Sequence, residues 1–346
     1  MSRLVCFGVA FSLGVVASAQ DVLDERERPH LTNVRQLTRG GSNAECYWRP
    51  DGQGFIFQST REPFAADQIF TMRADGAEQT LVSTGKGRTT CAYFFPDATR
   101  ILFSSTHVFS DDVPPRPDRS RGYVWPCHDT YEIFTAMPDG GDLRRLTDNR
   151  AYDAEATICW KTGRIVFTSD RDGDLELYTM NLDGSDLRRV TNELGYDGGA
   201  FFSADGKRIV WRASRPKTEE EVRDYKELLA EHLVRPLHVE IWTADADGTG
   251  AQPLTSNGAA NFAPYFFPDG KRIVFASNLH NPEAKSPDFD LYAMNADGSD
   301  LQRITYSAAF DAFPMFSPDG RQLVWISGRG AASRYEFNVF LADWVP

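Results

Sequence analysis

The sequence predicts an all-β fold. It is a six-bladed β-propeller of four-stranded antiparallel blades, closed by an N-terminal strand at residues 34–38 that completes the last blade. Three observations predict it. First, six short apolar runs recur: GFIFQS, RILFSS, RIVFTS, RIVWRA, RIVFAS and QLVWIS. Their aromatic residues (Phe57, Phe103, Phe167, Trp211, Phe275, Trp325) are 46, 64, 44, 64 and 50 positions apart. A period of this size marks a propeller or solenoid, and β-branched, aromatic content of strand length selects the propeller. Second, each run is preceded by a tight turn, such as SPDGR before Gln322, and five of the six are followed by a second turn centred on Asp-Gly. Third, the chain has one fourth strand too few at its end and one too many at its start.

The first 19 residues read as a secretory signal. Arg3 supplies the positive end, Leu4–Val16 is apolar but too short to span a bilayer, and Ala17-Ser18-Ala19 fits a cleavage site. Residues 20–346 then form one propeller domain. Within each unit an aromatic strand, for example APYFF at Ala263–Phe267, leads to a turn in which Pro presets φ and Gly supplies φ > 0. The apolar run is strand two. QIFTM, EIFTA, ELYTM, EIWTA, DLYAM and NVFLA are strand three. Turns at Asp75-Gly76, Asp139-Gly140, Asp183-Gly184, Asp247-Gly248 and Asp297-Gly298 lead into strand four, which in four of the five ends in an aliphatic residue followed by Thr. The sixth unit stops at NVFLADWVP. The orphan is NVRQLT at Asn33–Thr38, with no hairpin before it. Laid beside Phe340 it completes blade six, so that no blade lacks a strand.

Composition is ordinary for a globular chain, with 41% hydrophobic and 25% charged residues. The net charge of −12 argues against nucleic acid or an anionic membrane as partner. With export expected, the protein is placed in the periplasm or outside the cell, without membrane insertion and as a monomer. Cys46, Cys91, Cys127 and Cys159 follow the cleavage site. Four thiols allow three disulfide pairings, or act as small buried hydrophobes.

The stretches FSPDGRQLVW (Phe316–Trp325) and DLYAMNADGSDL (Asp290–Leu301) resemble the repeat of TolB-type six-bladed propellers. The resemblance covers essentially the whole mature chain. It implies the fold and leaves function wide, because similar blades serve binding proteins, peptidase domains and some lyases. TolB proteins carry a separate N-terminal domain before the propeller, and here only a short segment precedes the spare strand.

In such a blade the chain runs outward from the ring centre. The segments leading into strand one and the loops between strands two and three share one face, called upper here. Strand-two aromatic to second-turn Asp spans 16 residues in blade three and 36 in blades two and four. Two insertions, at 107–129 and 215–236, therefore project upward, where a rigid scaffold commonly carries binding loops. The second reads as a helix, capped by Thr218 and Glu221, ended by Pro236, with Val222, Tyr225, Leu229 and Leu233 as its apolar stripe. It either packs on its own blade or lids the pore. The first places Tyr123 and Trp125 beside Arg116, Arg119 and Arg121. Those aromatics would bind a sugar ring or peptide, or pin the loop.

The upper rim supplies the candidate ligand-binding residues. Glu45, Tyr152, Asp153, Glu155, Tyr196, Asp197, Asn261 and Asp311 stand at or beside the start of a first strand, along with Asn43 and Thr89. Arg61, Arg171, Arg215 and His280 follow second strands, along with His107, Asp170, Arg212, Asn281 and Arg329. Carboxylates gathered at one mouth suit Ca²⁺ or another divalent ion, or else cap their own loops. The Arg residues pair with them, or grip an anionic group. Asp170, Asp172 and Asp174 mimic the opening of a calcium loop but lack its Gly and closing Glu.

No nucleophile elbow, HExxH helix or phosphate-cradling loop is present, and no cofactor is called for. The expected function is a binding or scaffold module that engages a protein, peptide or carbohydrate at the upper pore face. The alternative is a metal-dependent lyase or hydrolase at the pore mouth. The resemblance extends to lyases with histidine-rich channel metal sites, for which His107, His128 and His280 are the candidates.

Overall fold

A computed structural model describes residues 23–283 and 288–346. The expected leader, residues 1–19, lies outside them. Six four-stranded antiparallel sheets form the blades. Their inner strands are Ser42–Trp48, Thr89–Phe94, Ala154–Cys159, Tyr196–Phe202, Asn261–Phe266 and Asp311–Phe316, and each meets the next around a closed circle.

Blade six closes as expected. Leu31–Gln36 pairs antiparallel with Asn338–Trp344, with Arg35 opposite Leu341 and Gln36 opposite Phe340. The pairing starts three residues earlier than the sequence suggested, at Leu31 opposite Trp344, because Leu31 and Val34 are buried on the blade. The Thr that ends this strand has a definite role. Thr38 Oγ1 accepts from the Val339 amide at 2.9 Å, as Ser83, Thr147, Thr191, Thr255 and Thr305 accept from their own third strands at 2.8–2.9 Å. In blades one to five the hydroxyl supplies the partner that a fourth strand only two residues long would leave missing.

The core is a second repeat. The aromatic of strand two stands directly opposite an aromatic of strand three in all six blades, from Phe57–Phe70 to Trp325–Phe340, with ring centroids 5.8–6.3 Å apart. Such cross-strand pairs are the unit of sheet stabilisation. Between blades the second turn sets the spacing. Gly76 has φ +84°, and a Cβ there would lie 2.8 Å from the Leu37 carbonyl of the closing strand; Gly140, Gly184, Gly248 and Gly298 meet the preceding blade in the same way. Glycine is thus required both by the turn and by the neighbour.

The insertion helix is α1, Glu219–Ala230, with the expected Thr218–Glu221 capping box. It ends at Ala230, short of Pro236, and His232 has φ +56°. Its buried residues are Tyr225 and Leu228. The Tyr225 hydroxyl donates to Asp174 of blade three, so the helix leans on the neighbouring blade. Just beyond it Leu233–Val234 pairs with Trp125–Pro126 of the other insertion, and Arg121 bridges to Asp224 and Glu231. The two insertions form one roof. Cys46, Cys91, Cys127 and Cys159 are buried free thiols. No helix among the described residues is long and apolar enough to cross a membrane.

Candidate functional site

Each inner strand carries a bulge at its second, third or fourth residue, where the register to strand two slips. The bulged residues are Glu45, Cys91, Glu155, Gly199, Ala263 and Phe313, all with φ between +48° and +61°. A left-handed conformation costs a non-glycine residue about 1 kcal/mol or more. Five of the six positions bear that cost, and all six line the axial channel. Two residues further along, Tyr47, Tyr93, Phe201 and Tyr265 pack tilted or edge to face at 5.3–6.2 Å and plug the channel below. The space left at the bulge ring is about 20 Å³, room for little more than a water. The propeller is therefore blind from above.

Over the plug opens a vestibule of about 730 Å³. Its floor is Glu45, Glu155 and Arg212. One wall is Phe262, Phe289, Phe310 and Phe313, which pack on one another at 5.0–6.1 Å. The roof is Trp125, Pro126, Val234 and Pro236 from the two insertions, with Tyr152 and Tyr196 beneath. This volume and apolar lining fall in the range of small-ligand sites.

The floor is electrostatically uneven. Glu155 receives five donors: Arg212 at 2.9 Å, Tyr196 at 2.8 Å, the Gly199 amide at 2.6 Å, Tyr152 at 3.2 Å and Thr168 at 3.3 Å. Arg212 is spent on Glu155 and on the Tyr196 hydroxyl at 2.7 Å, and its guanidinium lies 5.3 Å from the Trp125 ring centre. Gly198 and Gly199 make this knot possible. A Cβ on Gly198 would meet Tyr196 Oη at 2.2 Å, and one on Gly199 would meet Arg212 Nη1 at 2.8 Å. Glu45, one blade round from Phe313, has no such partner. Burial pushes its carboxyl up to about 7, the Cys91 thiol pulls slightly the other way, and Glu155 adds repulsion.

The remaining rim residues lie inside the blades. Asn43, Thr89, Asp153, Asp197, Asn261 and Asp311 are all fully buried, and eighteen positions later stand Arg61, His107, Arg171, Arg215, Leu279 and Arg329. Arg171 forks onto Asp153 at 2.8 Å, Arg215 meets Asp197 at 2.6 Å, Arg61 meets Asn43 at 2.8 Å and Arg329 meets Asp311 at 2.6 Å. Asn261 accepts from Ser277 at 2.8 Å. The two rings thus pair within single blades and fasten strand one to the loop after strand two. Arg329 also forks onto Glu27 at 2.6–2.7 Å, a residue just ahead of the closing strand with no repeat equivalent.

Of the twelve candidates, Glu45, Tyr152, Glu155 and Tyr196 meet at the vestibule, while Arg61, Asp153, Arg171, Asp197, Arg215, Asn261, His280 and Asp311 do not line it. His280 contacts Asp288 at 3.1 Å, and His107 contacts Ser105 at 2.8 Å. Asp170, Asp172 and Asp174 accept from the Tyr152 amide, the Tyr178 hydroxyl and the Tyr225 hydroxyl. Among the described residues no group of three His, Cys, Asp or Glu side chains is placed to hold a metal ion. The phenylalanine wall was not anticipated. Its only sequence signal was Phe310 and Phe313 bracketing Asp311 and Phe262 following Asn261.

No family model matches the chain, and no curated protein does. Solved structures do match. A protein from Agrobacterium tumefaciens assigned as a TolB superposes with TM-score 0.57 at 16% identity, over 90% of this chain and 94% of that one. TolB from Acinetobacter baumannii gives 0.55 at 18% identity, over 88% of this chain and 64% of its own length. The fold is the TolB-type six-bladed propeller. An oligogalacturonate lyase in complex with manganese gives 0.53 at 15% identity, over 89% of this chain and 79% of that one. At these identities the likeness is one of fold.

Proposed function

We propose that the protein is an exported binding module that takes its ligand, a peptide or protein segment or a carbohydrate, in the vestibule on its upper face. The observation that carries this reading is the blind cavity of about 730 Å³ between the aromatic wall and a roof built from both insertions. A merely structural ring needs neither insertion. Catalysis is the weaker reading, since Glu155 and Arg212, two of the three charged floor residues, are already committed to each other.

The test uses Trp125→Ala, which opens the roof, and Leu187→Ser, an exposed change just before the fourth strand of blade three. Purified mature protein is screened against peptides and oligosaccharides by thermal shift, and hits are titrated. Any hit should lose at least tenfold in affinity with Trp125→Ala and be untouched by Leu187→Ser. Hits indifferent to Trp125 would overturn the assignment. Export is tested separately by sequencing the N-terminus of protein recovered from outside the cytoplasm, where Gln20 is expected first.

A further inference from the structure

We propose that the vestibule seats an organic ammonium group on the Glu45 carboxylate, with the phenylalanine wall around the carbon body of the ligand. This rests on the vestibule being the ligand site. The charge count of the lining motivates it. Among the described lining residues, two carboxylates face one cation, and that cation is already committed. Arg212 and four other donors satisfy Glu155. Among the described residues, Glu45 has only the weak Cys91 thiol as a polar partner, although it lines both the vestibule and the channel beneath. A carboxylate at the bottom of an aromatic-walled blind cavity is complementary to a cation with an apolar stem. An anion would meet the uncompensated charge, and a neutral polyol would find few donors or acceptors along the phenylalanine wall.

The groups acting on Glu45 are Cys91, Glu155, Arg212, Asp67, Tyr47 and Tyr131. Burial pushes the carboxyl up to about 7. An arriving ammonium stabilises the ionised form, so affinity rises with pH through that region and binding releases a proton.

The experiment is calorimetric titration of the mature chain with phenethylammonium and its neutral counterpart 2-phenylethanol, at pH 8 and pH 6. Nα-acetyl-lysine methylamide is the third probe. At pH 8 phenethylammonium should bind at least tenfold tighter than the alcohol, and this advantage should shrink severalfold at pH 6. Glu45→Gln should abolish this advantage, bringing amine and alcohol to similar affinity at both pH values. The pH series on the unaltered protein keeps the test decisive should that variant fold poorly. Binding of the lysine derivative points to a protein-borne ammonium; its failure beside phenethylammonium binding points to a free amine. Equal binding of amine and alcohol, lost with Trp125→Ala, overturns the ammonium assignment and leaves the vestibule standing. No binding of either overturns the ammonium assignment, and the vestibule reading then rests on the peptide and oligosaccharide screen alone.

Discussion

Arg329 is almost fully buried and holds two carboxylates, Glu27 and Asp311, that are themselves without solvent contact. Removing one partner of such a cluster strands charge in the interior and costs about 3–5 kcal/mol. Arg329→Ala should therefore lower stability by that amount in urea titration, and Arg61→Ala, whose partner Asn43 is neutral, by about 1–2 kcal/mol. Glu45 acts in the opposite sense. Its folded pKa of about 7 lies above the ordinary value of 4.5, so the folded state binds the extra proton between those limits. Stability from this group is full below pH 4.5 and lost as pH rises through 7. Glu45→Gln should be neutral at pH 4 and stabilising at pH 8, by about 3 kcal/mol at most. At this scale the sequence was half legible. The repeat located the rim, but side-chain alternation gives no sign of the bulge that sends Glu45 and Glu155 into the channel while Asp153 stays within its blade. Glu27 was invisible because it lies outside the repeat.

The insertion helix shows where pattern reading meets tertiary context. Its cap was legible, since Thr218 and Glu221 stand three apart and the hydroxyl accepts from the Glu221 amide at 3.1 Å. The buried face was not wholly so. The expected stripe named Leu229, whereas Leu228 is the residue at 0% exposure, because the helix rolls onto blade three to bring Tyr225 to Asp174. Leu228→Ala should cost about 2–4 kcal/mol in local stability. Leu229→Ala, only partly buried, should cost less, and hydrogen exchange of the 219–230 amides should rank the two in that order. The roof strand pairing Val234 with Trp125 had no sequence signal at all: a two-residue ladder between segments over a hundred positions apart leaves no periodicity to read.

For the whole molecule the sequence was most informative, because the same physical constraints recur around the ring: a turn glycine against the preceding blade five times, and an aromatic cross-strand pair and a hydroxyl after the fourth strand six times. Repetition turns weak local signals into a fold. The blind vestibule follows only if the six inner strands share one axis, and that depends on the ring being shut by the N-terminal strand. The direct test is a disulfide across the seam. Thr32 stands opposite Asp343 in the antiparallel register, and neither is buried. The double variant Thr32→Cys/Asp343→Cys, oxidised, should cross-link within one chain and raise the melting temperature reversibly with reductant, the loop being long enough for a chain-entropy gain of about 5–6 kcal/mol. Failure to cross-link while the single-cysteine variants remain folded would place the two strands apart and dismantle the shared axis on which the site depends.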